Sequence, residues 1–197
     1  MQIPHYFEDL DHLHINTEPD RAYYIPASRA GNYFLDREKS DRFFLLSGIW
    51  RFRYFQSVYD LPEDFWKQGV QEKEWKNVTV PAVWQSYGAD CNQYINTMYP
   101  FPVDPPFVPR ENPCGLYERT FEYYREESAP EVFINFEGVD SCFYLWLNGN
   151  FAGYSQVSHS TSEFCVTDLL REGNNRLTVL VLKWCDGSYL EDQDKFR

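Results

Sequence analysis

Short aromatic strands separated by turns dominate the sequence from Gly48 onward and constrain the fold more than any other feature. In GIWRFRYF, Trp50, Phe52 and Tyr54 alternate with arginines, which predicts a strand with one buried face. The run NNRLTVLVLKW is apolar on both faces, as expected of a strand that is covered on both sides. Because no helical runs alternate with these segments, the pattern predicts an all-β sandwich or jelly roll.

Turn residues mark how the strands are connected. Asn148-Gly149 lies between two aromatic runs in CFYLWLNGNFAGYSQ, and this pair favours the positive φ angles of a type I′ hairpin. Further strands are predicted in NVTVP, LYERTFEYY and EVFINFEGV. In SEFCVTDLLREG, a short strand is followed by one helical turn, with Thr167 as its expected N-cap and Gly173 as its terminator.

Two stretches lack this alternation. Residues 1–45 are predicted to form an irregular N-terminal arm that packs on the domain or on a partner subunit, with residues 46–197 as the domain itself. The proline-rich loop (residues 94–115) contains too many prolines for a helix or a central strand. Its tyrosines and phenylalanines favour an ordered loop with a functional role.

Charge and composition exclude several classes of function. The net charge of -12 argues against binding to nucleic acids or to anionic membranes, since both need a basic surface. No apolar run is long enough to span a membrane, and MQIPHYFEDL lacks a signal-peptide pattern, so a cytoplasmic location is expected. The 5 cysteines are widely spaced without a CxxC pair, which predicts reduced thiols rather than a zinc site.

The usual catalytic signatures are missing from the sequence. The polar residues that could bind a ligand are instead concentrated in two loops. One loop surrounds Asn96, and the other is the closing run CDGSYLEDQD. Carboxylates and amides beside aromatic rings suit sugar hydroxyls, and they equally suit a hard cation such as Mg²⁺, Ca²⁺ or Na⁺. A third interpretation is that Asp186-Gly187 forms an Asx-type turn and the acids are simply solvated.

Long motifs resemble a known family. The stretch GVDSCFYLWLNGNFAGYSQVSHSTSEFCVTDLLREGNNRLTVLVLKWCDGSYLEDQD resembles the N-terminal domain of glycoside hydrolase family 2 β-galactosidases, as do NTMYPFPVDPPFVPRENPCGLYERTF, GIWRFRYF and NVTVPAVWQSYG. The resemblance runs from about Gly48 to the last residue and is weaker in the arm. It implies a jelly-roll sugar-binding domain of the galactose-binding-domain-like type, followed in the family by a catalytic TIM barrel.

The resemblance also implies a function. The family hydrolyses terminal non-reducing β-D-galactose residues, in lactose and other β-galactosides, by a retaining mechanism with two glutamates of the barrel. No catalytic residue is therefore expected in this chain, and the chain alone is expected to be inactive. Its implied partners are β-galactosides, downstream domains of the same polypeptide and further copies in a homo-oligomer, with Mg²⁺ and Na⁺ as cofactors.

Four site residues follow from matching this sequence to the family. The resemblance implies that Asn96 and Asp194 contact galactose and that Asp194 also binds sodium. It implies that Asp186 and Gln156 bind magnesium, with further ligands in the arm that the sequence does not assign. The alternatives are a free-standing carbohydrate-binding module, a related family 2 glycosidase domain and a purely structural domain.

Overall fold

The computed structural model describes residues 3–68, 75–91 and 99–191 and is built almost entirely from strands. The strands are β1 His14–Ile15, β2 Gly48–Phe55, β3 Lys76–Val80, β4 Cys114–Tyr123, β5 Phe133–Phe136, β6 Cys142–Leu147, β7 Asn150–Gln156, β8 Ser162–Cys165 and β9 Gly173–Leu182. The described helices are α1 Phe65–Gln68 and the 3-10 helices Tyr6–Glu8, Arg37–Lys39, Val58–Asp60, Trp84–Tyr87, Thr167–Leu169 and Asp186–Leu190. The prediction of an all-β fold is confirmed.

The strands form two sheets of unequal size. A 7-stranded antiparallel sheet has the order β1-β7-β6-β9-β4-β2-β3, and β5 and β8 form a 2-stranded sheet. Strand β9 is central and pairs with β4 on one side and β6 on the other. Its residues from Leu177 to Leu182 are buried on both faces, as its apolar sequence predicts.

The large sheet separates two hydrophobic cores. The sandwich core lies between the two sheets and includes Ile134 of β5 and Phe164 of β8. The outer core covers the opposite face and includes Phe7 of the arm and Val108 of the proline-rich loop. Two sheets that share one core are consistent with a jelly-roll sandwich. The outer core matters for function, because it brings the arm and the proline-rich loop to the same face.

The hairpin between β6 and β7 follows the prediction made from its turn residues. Asn148 has a φ of 54° and Gly149 a φ of 81°, as a type I′ turn requires. In β7, Gly153 is needed for a different reason: a Cβ there would lie 2.5 Å from the carbonyl oxygen of Ile15 and from the Phe164 ring. Only glycine therefore lets β1 approach β7 while Phe164 packs beneath it.

The expected N-cap at Thr167 is wrong. The 3-10 helix Thr167–Leu169 is preceded by Val166, which makes no side-chain cap, and Gly173 begins β9. The Thr167 hydroxyl instead accepts a hydrogen bond from the backbone N–H of Val132, 2.9 Å away. A contact between distant parts of the chain thus replaces the local one that the sequence pattern suggested.

The N-terminal arm lies against the large sheet. Phe7 is buried, β1 pairs with β7, and the Tyr144 hydroxyl donates to the carbonyl oxygen of Pro4. The arm also meets the small sheet, where the Arg21 guanidinium pairs with the Glu163 carboxylate. This packing brings the 3-10 helix Tyr6–Glu8 into contact with the 3-10 helix Asp186–Leu190.

Two further features bear on the expected class of protein. None of the helices in the described ranges is long and apolar enough to cross a membrane.

The cysteines are free thiols, with Cys114, Cys142 and Cys185 buried and Cys91 and Cys165 exposed. Burial raises the pKa of the Cys114 thiol far above its ordinary value, so this thiol stays protonated and acts as a small core residue.

Candidate functional site

The chain that follows β9 carries most of the polar chemistry, and we call residues 183–191 the site segment. The N–H of Lys183 still donates to the carbonyl oxygen of Pro113, but beyond Lys183 the backbone is held by side chains rather than by a neighbouring strand. Asn112, which is fully buried, accepts from Trp184 N at 3.0 Å and donates to Trp184 O at 2.8 Å. Ser188 then closes the start of the 3-10 helix, since its hydroxyl accepts from Cys185 N at 3.1 Å. These bonds fix the position from which Asp186 points inward.

Asp186 is a buried carboxylate with one satisfied oxygen. Its side chain is 3% exposed, and Oδ1 accepts from the N–H of Gly187 at 2.7 Å. Oδ2 has no hydrogen-bond partner within residues 3–68, 75–91 and 99–191. Burial raises the pKa of Asp186, while the nearby Gln156 amide and the Gly187 N–H partly offset that rise. The solvated interpretation of this acid is therefore wrong, and its bond to the N–H of the next residue is not the predicted Asx-type turn, which would reach the N–H of Ser188.

Gln156 ends β7 beside this carboxylate. Its Oε1 accepts from the Tyr154 hydroxyl at 2.6 Å, whereas its Nε2 lacks a partner among the described residues. The amide is close enough to the 3-10 helix that a Cβ on Gly187 would lie 3.4 Å from Nε2. The structure thus brings together the two residues that the resemblance assigns to magnesium. Rotating the Gln156 amide group by about 180° would exchange its two ends, so that Oε1 instead of Nε2 faces Asp186 and Gly187.

Two acids of the arm act on Asp186 through their charge. The 3-10 helices Tyr6–Glu8 and Asp186–Leu190 contact each other, and the negative charges of Asp9 and Glu8 also raise the pKa of Asp186. Asp9 is held by the N–H of Asp11 at 3.1 Å and by the His12 ring at 2.7 Å, and these bonds lower its own pKa. Sequence reasoning did not select Glu8 and Asp9, although the acidic run FEDLD was the available signal.

The donor set suits a hard cation better than a soft one. In the part of the chain that the structure describes, no three His, Cys, Asp or Glu side chains are grouped closely enough to hold a metal by themselves. Mg²⁺ commonly keeps several waters and is bound through only one or two carboxylates, so a fuller protein cage is not required. A buried carboxylate with a free oxygen, an unpaired amide and nearby acids fit such an ion.

The proline-rich loop is tied to the site segment by tyrosines. The Tyr99 hydroxyl donates to the carbonyl oxygen of Tyr189 at 2.6 Å. The Tyr189 hydroxyl accepts from Asp104 N at 3.1 Å and donates to the carbonyl oxygen of Phe107. The described parts of the two loops that the sequence singled out are therefore joined in space. Their predicted galactose contacts, Asn96 and Asp194, lie outside the described residues.

A buried ion pair also joins the site segment to residues before the proline-rich loop. Lys183 Nζ lies 2.5 Å from Asp90 Oδ2, and the two side chains are 6% and 11% exposed. Burial and the Asp90 charge raise the pKa of the neighbouring Tyr54 to about 12, so its phenol remains neutral. No motif in the sequence pointed to this pair, because its members are far apart along the chain.

Comparison with known families decides the identity of the domain. Residues 43–197 match the family profile described as glycosyl hydrolases family 2, sugar binding domain. The chain belongs to this family. The match covers β2 to β9 and the site segment, and it supports the family resemblance drawn from the sequence.

Curated relatives of this family 2 chain are β-galactosidases. The chain is 52% identical over 198 residues to a β-galactosidase of Actinobacillus pleuropneumoniae, covering 100% of this chain and 19% of that protein. It is 45% identical over 194 residues to a β-galactosidase of Staphylococcus xylosus, covering 98% of this chain and 19% of the relative. The chain therefore spans only the N-terminal sugar-binding part of much longer proteins.

Solved structures share the fold of this family 2 domain. A β-glucuronidase of Faecalibacterium prausnitzii superposes with a TM-score of 0.51 at 18% identity, covering 70% of this chain and 20% of that chain. A β-glucuronidase of Ruminococcus gnavus in complex with D-glucuronic acid gives a TM-score of 0.51 at 13% identity, covering 69% and 21%. At such low identities the likeness concerns the fold alone.

Proposed function

We propose that this chain is the sugar-binding domain of a β-galactosidase that hydrolyses terminal non-reducing β-D-galactose residues, such as that of lactose. The observation that carries the proposal is the 52% identity to a β-galactosidase across the whole of this chain. Hydrolysis itself is assigned to a downstream catalytic domain with two carboxylic acids and a retaining mechanism. The role of this chain is to complete the galactose pocket and to support the assembly of the enzyme.

The proposed galactose contacts are Asn96 and Asp194. An amide donates to one hydroxyl and accepts from another, and an ionised carboxylate accepts from two neighbouring hydroxyls. Asp194 is also proposed to bind Na⁺, since a carboxylate has enough lone pairs to bridge a cation and a sugar hydroxyl. Support comes from the ties between the proline-rich loop and the site segment, which bring the described parts of both loops together.

Magnesium is proposed to bind at Asp186 and Gln156, with Asp9 as a candidate from the arm. The unpaired Oδ2 of Asp186 and the raised pKa of this buried group support the assignment. When bound, the ion neutralises carboxylates that otherwise repel each other across the junction of arm and sheet. The side chains of this chain thereby hold the arm on the outer core and keep the site segment in place.

The proposal also covers the partners, the assembly and the location of the enzyme. Its partners are β-galactosides and the downstream domains of the same polypeptide, and the complete protein forms a homo-oligomer in the cytoplasm. The arm supports an assembly role, because Phe34 and Leu35 are 80% and 86% exposed. Apolar side chains in such exposed positions are common at contacts between subunits.

Steady-state kinetics on the complete polypeptide test the main assignment. We expect hydrolysis of an aryl β-galactoside and little hydrolysis of the matching β-glucuronide. Asn96→Ala and Asp194→Ala should each raise the inhibition constant of galactose by about tenfold or more, which corresponds to about 1.4 kcal/mol of binding free energy per site. If both variants bound galactose as the unchanged enzyme does, the assignment of these contacts would be wrong.

Calorimetry on the 197-residue chain separates this proposal from a free-standing carbohydrate-binding module. The isolated chain should bind galactose weakly or not at all, because the remaining walls of the pocket belong to other domains. Galactose binding in the micromolar range would instead favour the free-standing module.

A further inference from the structure

We propose that Cys142 and Cys185 form a redox-sensitive pair, in which a disulfide bond between the two thiols changes how firmly the site segment is held. Both residues belong to the outer core, where Cys142 is fully buried and Cys185 is 1% exposed. Both are free thiols in the structure. The formation of the bond does not depend on the proposed function, whereas its effect on magnesium rests on that function.

The start of β6 and the end of β9 bring the two thiols together. Cys142 is the first residue of β6 and aligns with Leu182, the last residue of β9. Ser141 extends this contact, because its backbone N–H donates to Leu182 O at 3.1 Å and its hydroxyl donates to Lys183 O at 2.9 Å. Cys185 Sγ then lies 3.9 Å from Ser141 O, and the Cys142 thiol is within hydrogen-bonding reach of the Cys185 thiol.

Cys114 shows that burial alone does not make such a pair. It is also fully buried in the outer core, but it lies on β4, where it aligns with Leu182 from the other side. Cys114 and Cys142 are therefore two strand positions apart, which separates their Cα atoms by about 10 Å. A disulfide requires Cα atoms within about 7 Å of each other, so these two thiols cannot be joined.

Cys185 connects the pair to the rest of the site segment. It directly precedes the 3-10 helix Asp186–Leu190, and its backbone N–H donates to the Ser188 hydroxyl at 3.1 Å. Gly187 lies against the same thiol, since a Cβ on this glycine would be 3.4 Å from Cys185 Sγ. A covalent bond to Cys142 would tie the start of this helix to β6, where only non-covalent contacts hold it in the reduced protein.

The same pair borders the residues that are proposed to bind magnesium. The Cys142 thiol is within hydrogen-bonding reach of the Tyr154 hydroxyl, which donates to Gln156 Oε1 at 2.6 Å. Asp186 is the residue after Cys185. Drawing Cys185 towards β6 shifts Asp186 relative to Gln156. Because Mg²⁺ demands nearly ideal coordination geometry, the bond should weaken its binding.

The oxidant in this scheme is a low-molecular-weight disulfide such as glutathione disulfide. One cysteine thiolate attacks a sulfur of the oxidant, which releases one glutathione thiol and leaves a mixed disulfide on the protein. The other cysteine attacks the protein sulfur of that mixed disulfide, which forms the bond between Cys142 and Cys185 and releases the second glutathione thiol. The two protein thiols lose two electrons and two protons, and the oxidant becomes two thiols.

Burial makes this reaction slow, because a reagent reaches the thiols only when the site segment opens locally. Beyond Lys183 the segment is held by individual side chains rather than by strand pairing, so this opening needs less free energy than global unfolding. The exposed thiols of Cys91 and Cys165 react before the buried pair. Both are therefore replaced in the test.

Peptide mapping of the complete polypeptide tests whether the bond forms, with Cys91→Ser and Cys165→Ser in the reference protein. The native protein is incubated with glutathione disulfide, the remaining thiols are alkylated in denaturant, and peptides are analysed by mass spectrometry without reduction. We expect a pair of peptides joined through Cys142 and Cys185, with Cys114 recovered in alkylated form. Recovery of Cys142 and Cys185 only as free thiols or glutathione adducts would overturn the inference.

Hydrogen exchange of the site segment tests the effect of the bond. Reduced and oxidised protein are labelled in chelator, and the bond is reduced after quenching so that the same peptides are compared. Exchange at residues 186–190 should be slower by about tenfold or more in the oxidised protein, because the bond opposes local opening. Equal exchange in the two forms would overturn the inference.

Matched variants assign this difference to the pair. Cys142→Ala should abolish it, and Cys185→Ala serves the same purpose should Cys142→Ala fail to fold. Cys114→Ala removes an equally buried thiol of the same core and should retain the difference. A difference that persists in Cys142→Ala or Cys185→Ala would overturn the inference, because it would arise from another oxidised site.

Magnesium separates failure of the inference from failure of the proposed function. Mg²⁺ at about ten times its dissociation constant should slow exchange of the site segment by about tenfold in the reduced protein, and by less in the oxidised protein. An equal effect of Mg²⁺ on both forms would overturn the link between the pair and the magnesium residues. If Mg²⁺ affects neither form, the proposed magnesium site is wrong, while slower exchange of the oxidised protein in chelator still supports the redox-sensitive pair.

Discussion

Strand β9 and the site segment are neighbours in the chain, but different forces hold them. Strand β9 pairs with β4 and β6 through its backbone and buries apolar side chains on both faces. The site segment leaves the sheet and is fastened by individual side chains, above all Asn112, Tyr189 and Lys183. Stability is therefore spread over many contacts in the strand and concentrated in a few polar contacts in the segment. A few polar contacts can position functional groups, but each one is hard to replace.

The largest effect on stability is expected from truncating a central side chain of β9. Leu180 is fully buried in the outer core, so Leu180→Ala should lower the free energy of unfolding by about 3 kcal/mol. Denaturant unfolding measures the change, and Ile49→Ala is the control because Ile49 is 62% exposed on β2. A loss below about 1 kcal/mol would show that β9 is less tightly packed than its burial indicates.

Asn112→Ala should have the next largest effect on the free energy of unfolding, and it should also loosen the site segment. Removing this side chain breaks the two hydrogen bonds that it makes to the buried backbone of Trp184, which costs about 2 kcal/mol. Galactose inhibition should weaken together with stability, in contrast to Leu180→Ala, where stability alone falls. Asn135→Ala is the control, because Asn135 is exposed and donates a single bond to Glu163. Unchanged galactose inhibition in Asn112→Ala would separate the segment from the sugar site.

Asp186→Asn tests whether the buried acid of the site segment is a destabilising charge. The raised pKa means that the folded state holds the proton more tightly than the unfolded state, whose ordinary value is 3.8. Without metal, this group contributes less stability as the pH rises from 3.8 through its raised pKa. The variant lacks this dependence, so in chelator its melting temperature should exceed that of the unchanged protein at neutral pH.

Magnesium should reverse the order of the melting temperatures of the unchanged protein and Asp186→Asn. The ion binds the ionised carboxylate of the folded state, so added Mg²⁺ should raise the melting temperature of the unchanged protein and have less effect on Asp186→Asn. Thermal unfolding at several pH values, with chelator or with Mg²⁺, gives both comparisons. Equal responses to Mg²⁺ in the two proteins would argue against a magnesium site at Asp186.

The smallest effect is expected at the surface, where the arm meets the small sheet. Arg21 is 37% exposed and pairs with Glu163, so Arg21→Ala should cost no more than about 1 kcal/mol. The loss should shrink further at high salt, as solvent-exposed charges are screened. A larger loss that persists at high salt would mean that this contact resembles the buried pair of the site segment more than an ordinary surface pair.

Much of the fold was predictable from the sequence because its strands carry local signals. The hairpin at Asn148-Gly149 and the doubly buried β9 were both predicted and confirmed. The N-cap at Thr167 was wrong, since the hydroxyl bonds to Val132 from another strand region. The seven-stranded order also has no local signal, because pairing partners such as β4 and β9 are distant in sequence.

The kind of candidate site could be predicted from the sequence, but only some of its residues could. The resemblance pointed to Asp186 and Gln156, and the structure brings them together beside the acids of the arm. Glu8, Asp9, Asp90 and Lys183 were missed, because each is an ordinary charged residue until its neighbours are known. Asn96 and Asp194 remain predictions that the kinetic variants will test.

The sequence by itself determined the β class, the main turns and the family, since periodicity and motifs are properties of short stretches of chain. The tertiary structure decided which charges are buried and which loops meet. These depend on packing between distant segments: the outer core draws the arm and the proline-rich loop onto one face of the sheet, beside the segment that leaves β9. Asp and Lys side chains usually lie at the surface, but Asp186 and Lys183 are buried, and a buried charged group needs a specific partner.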